Sequence, residues 1–246
     1  MTGRELESAG RDRFPSVAGA DGCRGGWVVA LRTAPTGIVT VTVVPDVPAL
    51  IRATWPCTAV ALDMPIGLPD TGPRACDTLT RTALGPRRAS VFPAPPRAVL
   101  GATTYTEACA RARQATGRAL SRQAFNLLPK ITAIDTALRA DPDWAARVHE
   151  VHPELAFACL EAGRPMAHPK RDPRGAAARR DRIDTAFPDV FEHARAAIPR
   201  RDAADDDLLD ALACLWSAGR IAARGALRLP EDAPRDAAGL PMQIQA

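Results

Sequence analysis

The sequence predicts an α/β domain on a mixed sheet: three antiparallel strands, then parallel strands, with helices on the faces and a helical insertion. Three observations carry this. Residues 17–44 hold three β-type runs joined by separators too short for crossover helices, so they form a meander. A fourth apolar run, AVALD at 59–63, follows a short helical stretch and returns as a buried strand. Beyond residue 74 helical patterning dominates, interrupted by one further strand candidate, RVHEV at 147–151. Helices covering a mixed sheet are the economical packing of that order.

Taken in sequence, Val17–Asp21 is short and apolar, and Trp27–Arg32 follows the glycine-rich turn DGCRGG. Ile38–Val44 alternates β-branched residues with threonine, as a half-buried strand does. Asp46 is placed to cap the helix VPALIRA. After Asp63 the stretch MPIGLPDTGPR excludes regular structure, since Pro65, Gly67, Pro69 and Gly72 interrupt any hydrogen-bond ladder. Helices are predicted over Arg74–Leu84, ended by Gly85, then Thr104–Thr116 and Ser121–Arg139, the last kinked or interrupted at Pro129. Pro153–Ala162 is a helix with proline near its start and Gly163 at its end. Residues 164–200 give an arginine-rich loop and more helix, and about 207–223 is the final helix. The expected organisation is a flexible tail at 1–15, one domain at 16–225 with its insertion at about 74–140, and a flexible tail at 226–246.

Composition sets limits. The 246 residues are 46% hydrophobic, enough for a sizeable core. A net charge of +4 permits nucleic acid as a partner without pointing to it. Six scattered cysteines form no CxxC pair, so neither a zinc site nor a disulfide framework is indicated, and reduced thiols fit a cytoplasmic protein. The first residues lack an apolar core of the kind a signal peptide needs, and no run approaches a membrane span.

The acids carry the chemistry. Asp21 ends the first strand before GCRGGW; it is a hairpin aspartate or a site residue to which the glycines give close access. Asp63 ends the fourth strand; it caps a loop, or it stands where α/β sheets bind ligands. Glu150 and His152 share a strand face, whereas His149 and His152 point apart, which defeats a zinc pair. Glu154 falls in a first helical turn, where the dipole favours an acid. Asp205 and Asp206 suit the same role. Asp210 does not. It shares a face with Asp207 among Leu208, Ala211 and Leu215, and acids facing a core must be protonated, paired or coordinated.

The motif D-x-x-D-A-L-A at 207–213 resembles the closing motif of RuvC-like resolvases, and Asp21 before a glycine-rich hairpin resembles the first-strand acid of the ribonuclease H-like superfamily. The blocks GADGCRGGW, ALDMPIGLP, RACDTLTRTALGPRRASVF, SRQAFNLLPKI, HEVHPELAF and DLLDALA together resemble a predicted-nuclease family, the domain of unknown function 429. The resemblance implies a ribonuclease H-like sheet at whose end Asp21, Asp63, Asp207 and Asp210 converge to hold two Mg²⁺ or Mn²⁺ ions about 4 Å apart for phosphodiester hydrolysis. Where the resolvases carry glutamate this chain has the shorter Asp63, so Glu150 is a candidate to complete the set. Phosphate-holding candidates are Arg87, Arg88, Ser90, Arg122, Lys130 and the basic run 168–182, the last read first as a solvated helix face because aspartates and alanines intersperse it. No aromatic platform for stacked bases is visible. The expected partner is nucleic acid, DNA or RNA, with a homodimer possible. Rival readings are an actin-like phosphotransferase or ATPase, whose first-strand acid also precedes a glycine-rich loop, and a non-catalytic binding protein.

Overall fold

The computed structural model describes residues 15–246, so the expected N-terminal tail lies, but for its last residue, outside the described residues. Strands β1 (Val17–Cys23), β2 (Gly26–Arg32) and β3 (Val39–Val44) form the antiparallel meander, and the tight β1–β2 turn closes on Gly26 at φ +126°. Helix α1 (Val47–Thr54), capped by the Asp46 carboxylate, leads to β4 (Ala59–Leu62), which pairs with β1 in parallel. The mixed α/β prediction holds: one seven-stranded sheet runs β3-β2-β1-β4-β5-β7-β6, antiparallel at its first edge and parallel through its centre.

Between β4 and β5 (Val148–Val151) lie α2 (Ala75–Leu84), α3 (Tyr105–Thr116), α4 (Arg122–Ala140) and the short α5 (Pro142–Ala145). The predicted insertion is therefore partly a layer of the domain. Ile131, Ile134 and Leu138 of α4, with Trp144 of α5 and Leu50 of α1, bury Ala18, Ala20, Val60 and Leu62 on one sheet face. Helix α4 runs through Pro129 without interruption, because apolar residues on both sides of the proline, Leu128 and Ile131, are buried.

The opposite face is covered by α6 (Pro153–Leu160), α7 (Pro173–Ala186), α8 (Val190–Ala197) and α9 (Asp205–Ala222). Helix α9 is buried nearly all round and lies directly on β1. Gly19 makes that possible: a Cβ there would stand 2.0 Å from Leu215 N and 2.3 Å from Ala211 O.

The C-terminal stretch corrects the expectation of a flexible tail at 226–246. It contributes β6 (Arg228–Leu229) and β7 (Ile244–Gln245), the latter parallel to β5. Asp236 accepts from Leu68 N (2.8 Å) and Leu240 N (2.9 Å) and pairs with Arg97, which also grips Asp135 (2.7 Å). The segment has no apolar period of its own. Pairing with a distant strand and one shared acid fix it, and neither is local in sequence. Among the described residues no helix is long and apolar enough to cross a membrane.

Candidate metal centre

Register brings the first two acids together. Ala20 pairs with Leu62, and Asp63 N continues the ladder to Ala20 O at 3.0 Å, so Asp21 and Asp63 are neighbours on the face that α9 covers. The close seat of α9 over Gly19 then supplies Asp210 from above. One carboxylate oxygen from each of Asp21, Asp63 and Asp210 lies within 4.8 Å of the others. Among the described residues no hydrogen-bond donor reaches the carboxylates of Asp21 or Asp63, while Asp210 accepts from Lys170 Nζ at 2.8 Å.

Three acids held this close resist ionising. Burial, then the charges of Asp63 and Asp210, hold the Asp21 carboxyl well above its ordinary range. Burial and Asp210 push Asp63 up to about 8. Burial also raises Asp210 despite the pull of Lys170. Burial works against the Lys170 ammonium, but Asp210 and Asp206 keep its pKa above the ordinary lysine value. Three hard oxygen donors converging with too few protein cations to neutralise them is the donor set that Mg²⁺ or Mn²⁺ takes. A divalent ion fits here.

A family model described as "Protein of unknown function (DUF429)" matches residues 19–235. The chain belongs to this family. The match takes in all three acids and Lys170 and stops short of β7. Searches of curated proteins and of solved structures gave no match.

The remaining site candidates separate. Asp207 is not among the converging oxygens: its Oδ2 accepts from Ala204 N (2.8 Å) and closes the first turn of α9. Asp205 pairs with Arg195 and Arg200. Glu150 does not complete the set either. It pairs in register with Leu62, so its side chain points to the sheet face opposite Asp63. There it receives both Arg74 terminal nitrogens at 2.7 Å and Ile66 N at 2.7 Å. Arg74, itself buried, also grips Asp77 (2.5 Å). Arg74→Ala would leave two acids buried without their cation; an expected loss of about 3 kcal/mol is checked by the denaturant midpoint.

A cavity of about 430 Å³ opens at the C-terminal ends of β1, β4 and β5, and Asp21, Asp63 and Asp210 form part of its floor. Of the basic candidates, Arg87 and Ser90 line it, with Arg87 Nε 3.0 Å from Glu154. Arg88 is exposed and does not line it. Arg122 lies over the Tyr105 ring, 3.8 Å from its centre. Lys130 donates to Gly26 O (2.6 Å) and sits over Trp27, close to Asp21 but outside the lining. Glu154 is more than a first-turn acid, since Arg179 holds both its oxygens (2.6 and 2.8 Å) in the core. His152 lines the cavity with Nδ1 unpartnered. Sequence reasoning gives Lys170 only as one cation in the run 168–182, because pairing with an acid forty residues away leaves no local pattern.

A pH dependence follows. The unfolded chain loses the Asp63 proton near 3.8, whereas the fold keeps it to about 8. The folded state thus binds more protons across this window, and metal-free stability falls as pH rises. Thermal midpoints taken from pH 5 to 8.5 in chelator should decline, and Asp63→Asn should make the decline shallower while Asp21 and Asp210 still contribute.

Proposed function

We propose that this protein is a metal-dependent phosphodiesterase of the ribonuclease H-like type, acting on nucleic acid or a smaller phosphodiester. The observation that carries the reading is the convergence of Asp21, Asp63 and Asp210 from two adjacent strands and a crossing helix. These residues would hold Mg²⁺ or Mn²⁺, as two ions in the ribonuclease H-like reading; when bound, the metal supplies activation of water and neutralisation of charge on the departing oxygen. The side chains do the rest. Burial of Asp21 and Asp210 limits their contact with water and strengthens the charge interactions at the floor. Lys170, tied to Asp210 and Asp206, sets the orientation of the helix acid and brings a cation to the rim. In the overall reaction water adds to phosphorus, the ester P–O bond breaks, and the departing oxygen takes the proton, giving a monoester and an alcohol.

The actin-like reading has less support. Gly25 N donates to Asp202 O at 2.7 Å, so that amide of the glycine turn is taken by backbone and is not free for a phosphate.

The test is Mn²⁺ titration of the full chain by calorimetry, followed by hydrolysis of bis(p-nitrophenyl) phosphate with and without Mn²⁺. Saturable binding with metal-dependent release of nitrophenol is expected. Binding that Asp210→Asn leaves unchanged, or hydrolysis indifferent to chelator, would overturn the reading.

A further inference from the structure

Three features of the cavity bear on what enters it. The first is size: about 430 Å³ falls within the span of small-molecule pockets, about 300–1,000 Å³. Duplex nucleic acid is gripped instead over about 1,000–2,500 Å² of protein surface. The second is charge. Four cationic side chains line the cavity, Arg74, Arg87, Lys170 and Arg171. Arg74 is held by Glu150 and Asp77, Arg87 by Glu154, and Lys170 by Asp210 and Asp206. Arg171 alone of the four has no ion pair among the described residues. One free cation serves one phosphate, whereas a strand bound along its length needs a cation for each of several. The third is stacking surface. Phe92 is the one phenyl ring in the lining, which also includes Leu127 and Gln123. Proteins that track single strands offer successive aromatic platforms, one per base. A single ring suits one base stacked on Phe92, and Gln123 in the same lining offers one side-chain amide for the base edge.

Resting on the phosphodiesterase reading, we propose that the cavity takes one nucleotide unit of a phosphodiester, either a small nucleotide ester or the free end of a strand, and not the interior of a duplex or a closed circle. The scissile phosphate lies at the Asp21–Asp63–Asp210 floor with Arg171 at its charge, and the base lies against Phe92.

The test uses the full chain with Mn²⁺. Its substrates are the p-nitrophenyl ester of thymidine 5′-monophosphate, bis(p-nitrophenyl) phosphate, an end-labelled linear single strand, a circular single strand and a duplex. The nucleotide ester should be preferred over the bis-aryl ester, and Phe92→Ala should lower that preference on the order of tenfold through KM. Gln123→Ala, on an exposed position, gives a second variant should loss of Phe92 disturb packing. Linear strands, if cleaved, should shorten from an end; cleavage of the small ester alone identifies the small ester as the source. Raising salt should weaken single-strand cleavage with a log–log slope near about −0.7, the value for one phosphate contact. Cutting of circular single strands or duplex interiors as fast as linear ends, or the absence of any nucleotide preference, would overturn the inference while leaving the phosphodiesterase reading intact. Calorimetry of thymidine 5′-monophosphate against the Mn²⁺-loaded protein decides the matter independently of turnover. Binding weakened by Phe92→Ala supports the nucleotide site even if no ester is hydrolysed, and no binding overturns it.

Discussion

Asp21→Asn is expected to abolish Mn²⁺-dependent ester hydrolysis while making the metal-free protein more stable. The two effects have one cause. Asp21 sits in the core of the acid cluster, with Asp63 and Asp210 as its nearest charges and no hydrogen bond to its carboxylate among the described residues. Asparagine has no carboxyl to keep protonated against burial and its acidic neighbours, so that cost of folding disappears, and the thermal midpoint in chelator at pH 8 should rise by the equivalent of about 1.4 kcal/mol for each pKa unit by which folding raises Asp21. The same change deletes a metal oxygen, so activity should fall on the order of 10²-fold or more, at least the loss that follows removal of one electrostatic stabiliser. Addition of Mn²⁺ should raise the midpoint of the natural protein and leave that of the variant unmoved. A variant that is less stable without metal, and still stabilised by Mn²⁺, would show that Asp21 is a structural residue.

Gly19→Val should be severely damaging to the fold. The added atoms meet backbone, not a flexible side chain, at 2.0 Å from Leu215 N and 2.3 Å from Ala211 O, so α9 must lift from β1. That helix buries Leu208, Ala211, Leu212, Leu215 and Ala218 against the sheet. The expected cost exceeds about 4 kcal/mol, a large part of a domain's usual margin. The displacement would also carry Asp210 away from Asp21. Denaturant unfolding and Mn²⁺ calorimetry should fail together, whereas Gly22→Ala, whose added atom meets only the flexible end of Lys130 at 2.9 Å, should be far milder. Equal effects at the two glycines would refute the role given to the helix seat.

Much of this arrangement is legible in the amino-acid sequence. Alternation in residues 38–44, the apolar run 59–62 and the turn chemistry around residues 22–26 are local, and local patterns specify strands and their order. An acid at the end of an apolar strand, and another inside an apolar helix, are conspicuous because burial of an unneutralised carboxylate is costly; Asp21, Asp63 and Asp210 stand out for that reason. Helical spacing alone does not choose between Asp207 and Asp210. That choice depends on the rotation of α9 against β1, which turns Asp210 inward and leaves Asp207 to close the helix end.

Sequence by itself determined the order of the first strands, the mixed sheet and a set of candidate acids that includes Asp21, Asp63 and Asp210, since each rests on a chain neighbourhood of a few residues. Tertiary structure alone decided the partners. The register of Leu62 with Glu150 sent that glutamate to the other face, where Arg74 holds it. Pairing of β7 with β5 turned an apparently loose terminus into part of the sheet. Lys170 reached Asp210 across forty residues, and Phe92 came from the inserted segment to the cavity wall. The physical reason is the same in each case. A pairing energy between distant residues is realised only once the intervening chain has been ordered, so the sequence around either partner carries no trace of it.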